Sequence, residues 1–188
     1  MRIEVYKSGA IPQNIFVTVS DLLFDAFAER REQGINFQCG TFSPKDVENE
    51  FSDKRGFLLL AINDTGITVG TVSLIEHNKG KFIYISHDNL AIASNCKGRG
   101  IASILFKEVL NIAEYQGYDF ITSFTATIAK SSLAYHEKMG FIIYEKSFGK
   151  DYDSYSFIYP LKRFKFMRFK PFSLFVYTLL TLFHKIKK

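Results

Sequence analysis

Apolar positions change their spacing several times along this 188-residue chain, and each change marks an element. Ile3 and Val5 alternate with polar neighbours over residues 2–7, the period of a half-buried strand. Residues 14–34 carry Ile15, Val19, Leu22, Leu23 and Phe27 at helical spacing, and the charged run Glu29-Arg30-Arg31-Glu32 follows on the same segment. Ser43-Pro44-Lys45-Asp46 reads as a helix start, with Ser as the cap, Pro at the first helical position and an acid three residues after the cap. Residues 56–63 are apolar almost throughout. The turn residues Asp64-Thr65-Gly66 and Asn78-Lys79-Gly80 separate them from strands expected at 67–77 and 82–93, which predicts a meander of three antiparallel strands.

Helical spacing returns over residues 98–116, where Ile101, Leu105, Val109, Ile112 and Ala113 share a face and Gly117 supplies the stop. A strand at 120–124, a helix at 129–139 ended by Gly140, and closing strands at 141–148 and 154–161 complete the order. The β-α-β unit over 82–124 needs a crossover, so its two strands are expected to pair in parallel. The pattern predicts a mixed α/β (α+β) fold of one domain over residues 1–160, followed by a tail over 161–188. No repeat, linker or low-complexity run interrupts the first 160 residues.

Charge sharpens the boundary between domain and tail. The chain carries a net +5, but residues 161–188 hold six Lys and two Arg without an acid, so the preceding 160 residues carry −3. A basic tail on an acidic body argues against a nucleic-acid-binding fold and for a C-terminal segment with its own partner. Within that tail residues 172–183 are nearly all apolar, a run of 12, well short of the ~20 needed to span a bilayer. Flanking Lys and Arg suit contact with an anionic membrane surface; packing on the domain or in a homodimer is the other reading. Cys39 and Cys96 match no metal or disulfide spacing, and the first residues lack an apolar leader, so a cytoplasmic location is expected, peripheral to the inner membrane face if the tail docks there.

The most informative stretch runs from Leu90 to Ser103, LAIASNCKGRGIAS. A strand enters a glycine-bearing turn that runs directly into a helix. Gly98 and Gly100 allow the backbone to approach a bound group, and the first helical N–H groups leave the turn without intrahelical partners. The helix dipole, Lys97 and Arg99 add positive character, which suits a pyrophosphate. No Gly-Lys-Ser/Thr follows as a Walker loop requires, and no third glycine follows as a dinucleotide fingerprint requires.

Lys97-Gly98-Arg99-Gly100-Ile101-Ala102 resembles the phosphate-binding motif Q/R-x-x-G-x-G/A of the GNAT superfamily of acyl-CoA-dependent N-acetyltransferases, with Lys in place of Gln or Arg. About thirty residues on, Tyr135-His136-Glu137-Lys138-Met139-Gly140-Phe141 is similar to the family's F-Y-E-K-x-G-F. The order of elements over residues 1–160 also matches. The resemblance implies a GNAT-like mixed sheet with a central pair of splayed parallel strands, 89–93 and 121–125, between which the acyl donor acetyl-CoA binds. It implies donor binding by Leu90, Ala91, Ile92, Lys97, Gly98, Arg99, Gly100, Ile101, Ala102, Ser103 and Ser131, with the Ile92 N–H facing the developing oxyanion.

The same resemblance places His136 where the family has a Tyr that protonates the leaving thiolate, with Tyr135 as the alternative one residue away. Ala129 stands where many members have an Asn on the pantetheine arm. For the general base, His87 and Asp88 lie near the position of a frequent family Glu, and Arg30 or Arg31 would orient the acceptor. The expected reaction is acetyl transfer to the primary amine of a small molecule, an amino sugar being the acceptor that suits envelope work and an acidic body. Transfer of a longer acyl chain, and a non-catalytic CoA-binding scaffold on a membrane, are the competing readings. No metal is expected.

Overall fold

The computed structural model describes residues 1–32, 34, 37–51, 54–149, 152–161 and 164. The tail expected over 161–188 therefore lies outside the described residues, apart from Leu161 and Phe164. The elements are β1 (Arg2–Lys7), α1 (Gln13–Ala26), α2 (Ala28–Glu32), α3 (Pro44–Phe51), β2 (Gly56–Ile62), β3 (Thr68–Lys79), β4 (Phe82–Ile92), α4 (Ile101–Gln116), β5 (Phe120–Ala126), α5 (Lys130–Met139), β6 (Ile142–Ser147) and β7 (Ser154–Pro160). They form a seven-stranded sheet in the order β1-β2-β3-β4-β5-β7-β6. The β4–β5 pair is parallel, Ile85 beside Ile121 and Ser86 beside Thr122, as a β-α-β crossover requires. The pairs β1–β2, β2–β3, β5–β7 and β6–β7 are antiparallel. This mixed, mostly antiparallel α/β arrangement is the expected fold.

The chain divides into two compact units, Met1–Glu76 with His87–Asn111, and His77–Ser86 with Ile112–Lys188. In the first, β2 explains its own sequence: Leu58, Leu59, Leu60, Ala61 and Ile62 are all buried, so the strand is covered on both faces and shows no polar alternation. The turn into β3 is held by Asn63, whose Oδ1 accepts the N–H groups of Thr65 at 3.0 Å and Ile67 at 2.8 Å. The start of α3 is a reciprocal capping box. The Ser43 N–H donates to Asp46 Oδ2 at 2.8 Å, and the Asp46 N–H donates to Ser43 Oγ at 3.2 Å.

One helix expected over residues 14–34 is two. Phe27 leaves helical geometry at φ −100°, ψ 4°, ending α1 at Ala26 and redirecting the chain into α2. Its ring tilts against Phe37 at 5.8 Å, and a Cβ on Gly40 would come within 2.8 Å of Phe27 Cβ. Packing of Phe27 into this corner overrides the continuous helical pattern. Arg31 then closes the corner, donating to Phe24 O at 2.7 Å and Gly40 O at 2.8 Å.

In the second unit α5 packs on β5 and β7, and β7 inserts between β5 and β6 rather than extending the hairpin outward. Asp119, buried at the head of β5, exchanges two hydrogen bonds with Ile83 of β4 and accepts the Leu161 N–H at 3.0 Å. Buried backbone ends are thereby paired where three segments begin or end together.

Candidate active site

The turn before α4 is built from the backbone outward. After β4, residues Ser94–Cys96 form a short 3₁₀ turn, and Gly98 and Gly100 both take left-handed geometry, φ 77° and 80°. A Cβ built on either would meet no atom within 4 Å, so the requirement for glycine here is conformational, not steric. The helix itself opens at Ile101, three residues later than the sequence pattern predicts, because these left-handed residues cannot be helical. Ser103 N–H donates to Gly100 O at 3.0 Å and Ile104 N–H at 3.2 Å, so the N–H groups of Ile101 and Ala102 precede the first intrahelical bond.

Two contacts fix the turn in place. Gly70 of β3 admits α4 closely, since a Cβ there would lie 2.9 Å from Ile92 Cδ1, 3.1 Å from Ile101 Cγ2 and 3.2 Å from Leu105 Cδ1. At the other end Asp25 receives the Ser94 N–H at 2.8 Å and its carbonyl receives the Ser94 hydroxyl at 3.0 Å. Leu90, Ala91 and Ile92 lead into the turn, Ala91 buried and Leu90 and Ile92 half-buried. Lys97 reaches back to α1, donating to Ala26 O at 3.2 Å with Glu29 Oε2 at 3.8 Å, whereas Arg99 and both glycines are exposed. Ile101 is buried, while Ala102 and Ser103 are half-buried on the first turn of α4.

A second cluster gathers on α3 and β4 of the same unit. Asn89 is the non-glycine residue of the described chain with a left-handed backbone, φ 52°, in the middle of β4. Its Nδ2 donates to Glu50 Oε2, with Ser73 Oγ at 3.5 Å. Burial pushes the Glu50 carboxyl above its ordinary value, and the neighbouring Asp88 charge pushes it further in the same direction. Cys39 faces this group too: its thiol is raised to about 11, first by burial and then by the Glu50 charge, with Arg30 acting in the opposite sense. Arg30 lies 5.1 Å over the rings of both Phe27 and Phe37. His87, by contrast, is 3% exposed and meets the ring of Phe106 edge-on at 5.9 Å. Strand alternation sets Asp88 and His87 on opposite sides of β4, and the Asp88 charge acts on Glu50.

The second unit holds the remaining site residues. His136 on α5 is 3% exposed. Its Nδ1 lies 2.7 Å from Ser132 O and its Nε2 2.9 Å from Ser123 Oγ. A carbonyl only accepts, so Nδ1 carries the proton and Nε2 accepts the Ser123 hydroxyl hydrogen in the neutral ring. Burial holds the imidazole below its ordinary value, and the ring stacks on Phe157 at 4.2 Å. In this arrangement both nitrogens serve the core, which weighs against the proton-donor role expected for His136. Tyr135 beside it is half-buried, and burial pushes its phenol well above the ordinary range, keeping it protonated. Ser131 lies exposed on the first turn of α5.

A family model described as the Acetyltransferase (GNAT) family matches residues 19–141. The chain belongs to the GNAT acetyltransferases. It is 29% identical over 108 residues to the mouse (Mus musculus) protein "Probable N-acetyltransferase family 8 member 5", a match covering 55% of this chain and 46% of that one. The chain therefore spans about half the length of the curated relative it matches. Among solved structures, an IAA acetyltransferase from Bacillus cereus is similar with a TM-score of 0.62 and 19% identity, covering 85% of this chain and 100% of that one. The Salmonella typhimurium protein yncA, solved with its cofactor acetyl-CoA, is similar with a TM-score of 0.65 and 11% identity, covering 87% and 96%. These two share the fold.

Within this GNAT chain, Glu50 is the candidate site residue that the sequence pattern does not single out. It lies in a polar stretch of α3, Glu48-Asn49-Glu50, that reads as an ordinary solvated face. Asn89 and Asp88, across the unit on β4, single it out. Arg31 closes a loop, as described above, and Arg30 shields two rings, so both arginines have structural work in the corner behind α1.

Proposed function

We propose that this GNAT protein transfers an acetyl group from acetyl-CoA to the primary amine of a small molecule, with an amino sugar as the first acceptor class to test. The observation that carries the reading is the exposed left-handed glycine turn beside Arg99, where the N–H groups of Ile101 and Ala102 precede the first intrahelical bond of α4. Such a turn binds a pyrophosphate through the backbone and needs no particular side chain. Lys97 supports the turn from behind rather than contacting the anion, because its ammonium already serves Ala26 O.

The acceptor side rests on Glu50 and Asp88. Two carboxyls in a half-buried site attract a protonated amine, and a carboxyl with a raised proton affinity takes the amine proton at a pH where an ordinary carboxylate would not. The free amine then attacks the thioester carbon, the C–N bond forms, and the C–S bond breaks. The Ile92 N–H is the candidate for the oxyanion, and the Tyr135 phenol, which burial keeps protonated, is the candidate proton donor that the resemblance implies. His87 and His136 are assigned to packing.

The test is release of free thiol from acetyl-CoA against a panel of primary amines, amino sugars included, by the full-length protein and by Glu50→Gln. Turnover with at least one amine that drops in the variant supports the reading. A folded protein that binds acetyl-CoA but transfers to no amine would leave a CoA-binding module and sink the assignment.

A further inference from the structure

The unit made of His77–Ser86 and Ile112–Lys188 presents two sheet faces with different cover. On one, α5 seals Ser123 and Phe157 through His136. The other carries Tyr84 of β4, Phe120 and Phe124 of β5, Ile158 of β7 and Tyr144 of β6. The pairing of Thr122 with Ile158, and of Phe124 with Ser156, places them on a common side. Tyr84 stacks on Phe120 at 4.7 Å, and Tyr144 is hydrogen-bonded to Ser156. These side chains are half-buried, except that Phe124 is 60% exposed. An aromatic sheet face left partly in water is a layer short of a complete fold.

The path of the chain supplies the candidate for that layer. After β7 the Leu161 N–H is bound to Asp119 O, and the Phe164 N–H donates to Leu161 O at 2.8 Å. The Phe164 ring then meets Phe82 edge-on at 5.9 Å, and Phe82 in turn lies 6.0 Å from Phe120. The chain therefore enters its last 24 residues, 165–188, at the border of this face. Eight residues lead from Phe164 to Phe172, a reach of up to about 26 Å when extended. Four strands span roughly 15 Å, so the apolar run at 172–183 can be delivered anywhere on the face. The basic residues at 162–170 and 184–188 flank that run on both sides and can stay in water while it is buried.

We propose that residues 172–183 dock, within the same chain, on the β4-β5-β7-β6 face that carries Tyr84, Phe120 and Phe124. The segment completes the apolar layer that no other described element of this unit supplies on that side. At 12 residues it is too short to span a bilayer but long enough to cross four strands.

The experiment uses the full-length chain with the photo-crosslinker benzoylphenylalanine in place of exposed Phe124, irradiated in buffer and mapped by mass spectrometry. The expected result is a crosslink into residues 172–183 at monomer mass, with a yield unchanged by about tenfold dilution. Hydrogen exchange on the unmodified protein gives a second reading: amides of 172–183 should exchange at least about tenfold more slowly than in a peptide of that sequence. Crosslinks confined to dimer mass would replace the proposal with a second copy of the chain. Absence of both crosslink and protection, with sedimentation of the full-length protein on vesicles of anionic lipid, would replace it with a membrane surface. Absence of all three would also overturn it.

Discussion

The glycine turn that opens α4 and the glycine stop that closes α5 use the same left-handed backbone for opposite purposes. Gly98 and Gly100 sit exposed at φ 77° and 80°, and the first intrahelical bonds of α4 begin only with the Ser103 and Ile104 N–H groups. Gly140, at φ 82°, reverses the chain so that the Phe141 N–H caps His136 O at 3.0 Å. The Phe141 ring then closes on the imidazole at 5.0 Å. That second arrangement is a Schellman stop with its customary apolar contact. The difference teaches that a motif's letters have to be divided between chemistry and helix grammar. In the turn the letters are those proposed to bind an anion; in Tyr135-to-Phe141 the Gly and Phe end a helix, and the residue before Glu137 is enclosed by them.

Four outcomes would sharpen or break that contrast. The largest belongs to the turn: Gly100→Glu adds left-handed strain of about 1–2 kcal/mol and places a carboxylate on the turn proposed to bind the anion. Affinity for CoA should fall at least about a hundredfold in a titration, with the protein still folded because the site is exposed.

Next comes the acceptor side. Glu50→Gln should lower kcat/KM for the amine by about a hundredfold while leaving CoA affinity unchanged. In the parent protein kcat/KM should decline as pH falls through the Glu50 pKa, above the ordinary carboxylate value, because protonation removes the base. The variant should lack that limb. A pH profile identical in the two proteins would remove Glu50 from the chemistry.

The stop of α5 gives the third. Tyr135→Phe should reduce kcat about tenfold. His136→Phe should change kcat by less than about twofold, since its imidazole faces the core. Stability, however, should respond to His136. Its folded-state pKa is depressed, so the unfolded chain binds the extra proton first, and stability is lost as pH falls below about 6.5 toward the folded value. Thermal melts from pH 8 downward should show that loss, and His136→Phe should flatten it. The carboxylates with lowered pKa, Asp46 and Glu48 among them, act only further down, as pH drops through values below those of ordinary carboxylates. Last comes Lys97→Ala, expected to change CoA affinity by no more than about threefold, because the ammonium already bonds to Ala26 O.

Much of this fold was legible because local rules decided it. The Ser43-Asp46 box, the Asp64-Gly66 turn and the two helix stops at Gly117 and Gly140 all appear where the letters place them. The break at Phe27 was not legible, since helical spacing runs straight through it and only the tertiary corner with Phe37 and Gly40 interrupts it. The insertion of β7 between β5 and β6 was hidden for a like reason, strand order being a choice among long-range pairings. At the candidate site, the turn could be read because its two glycines and the helix that follows are set by local backbone geometry. Glu50 could not, because its proximity to Asp88 and Asn89 exists only once α3 is packed beside β4. His136 offered letters for either role, and its burial, which the letters did not show, favours packing.

The central claim is that the glycine turn binds the pyrophosphate of the acyl donor. Calorimetric titration of the full-length protein with CoA and with pantetheine, which lacks the pyrophosphate, tests it most directly. The account predicts micromolar affinity for CoA and at least about hundredfold weaker binding of pantetheine. Equal affinity for the two, or no CoA binding by the folded protein, would contradict it.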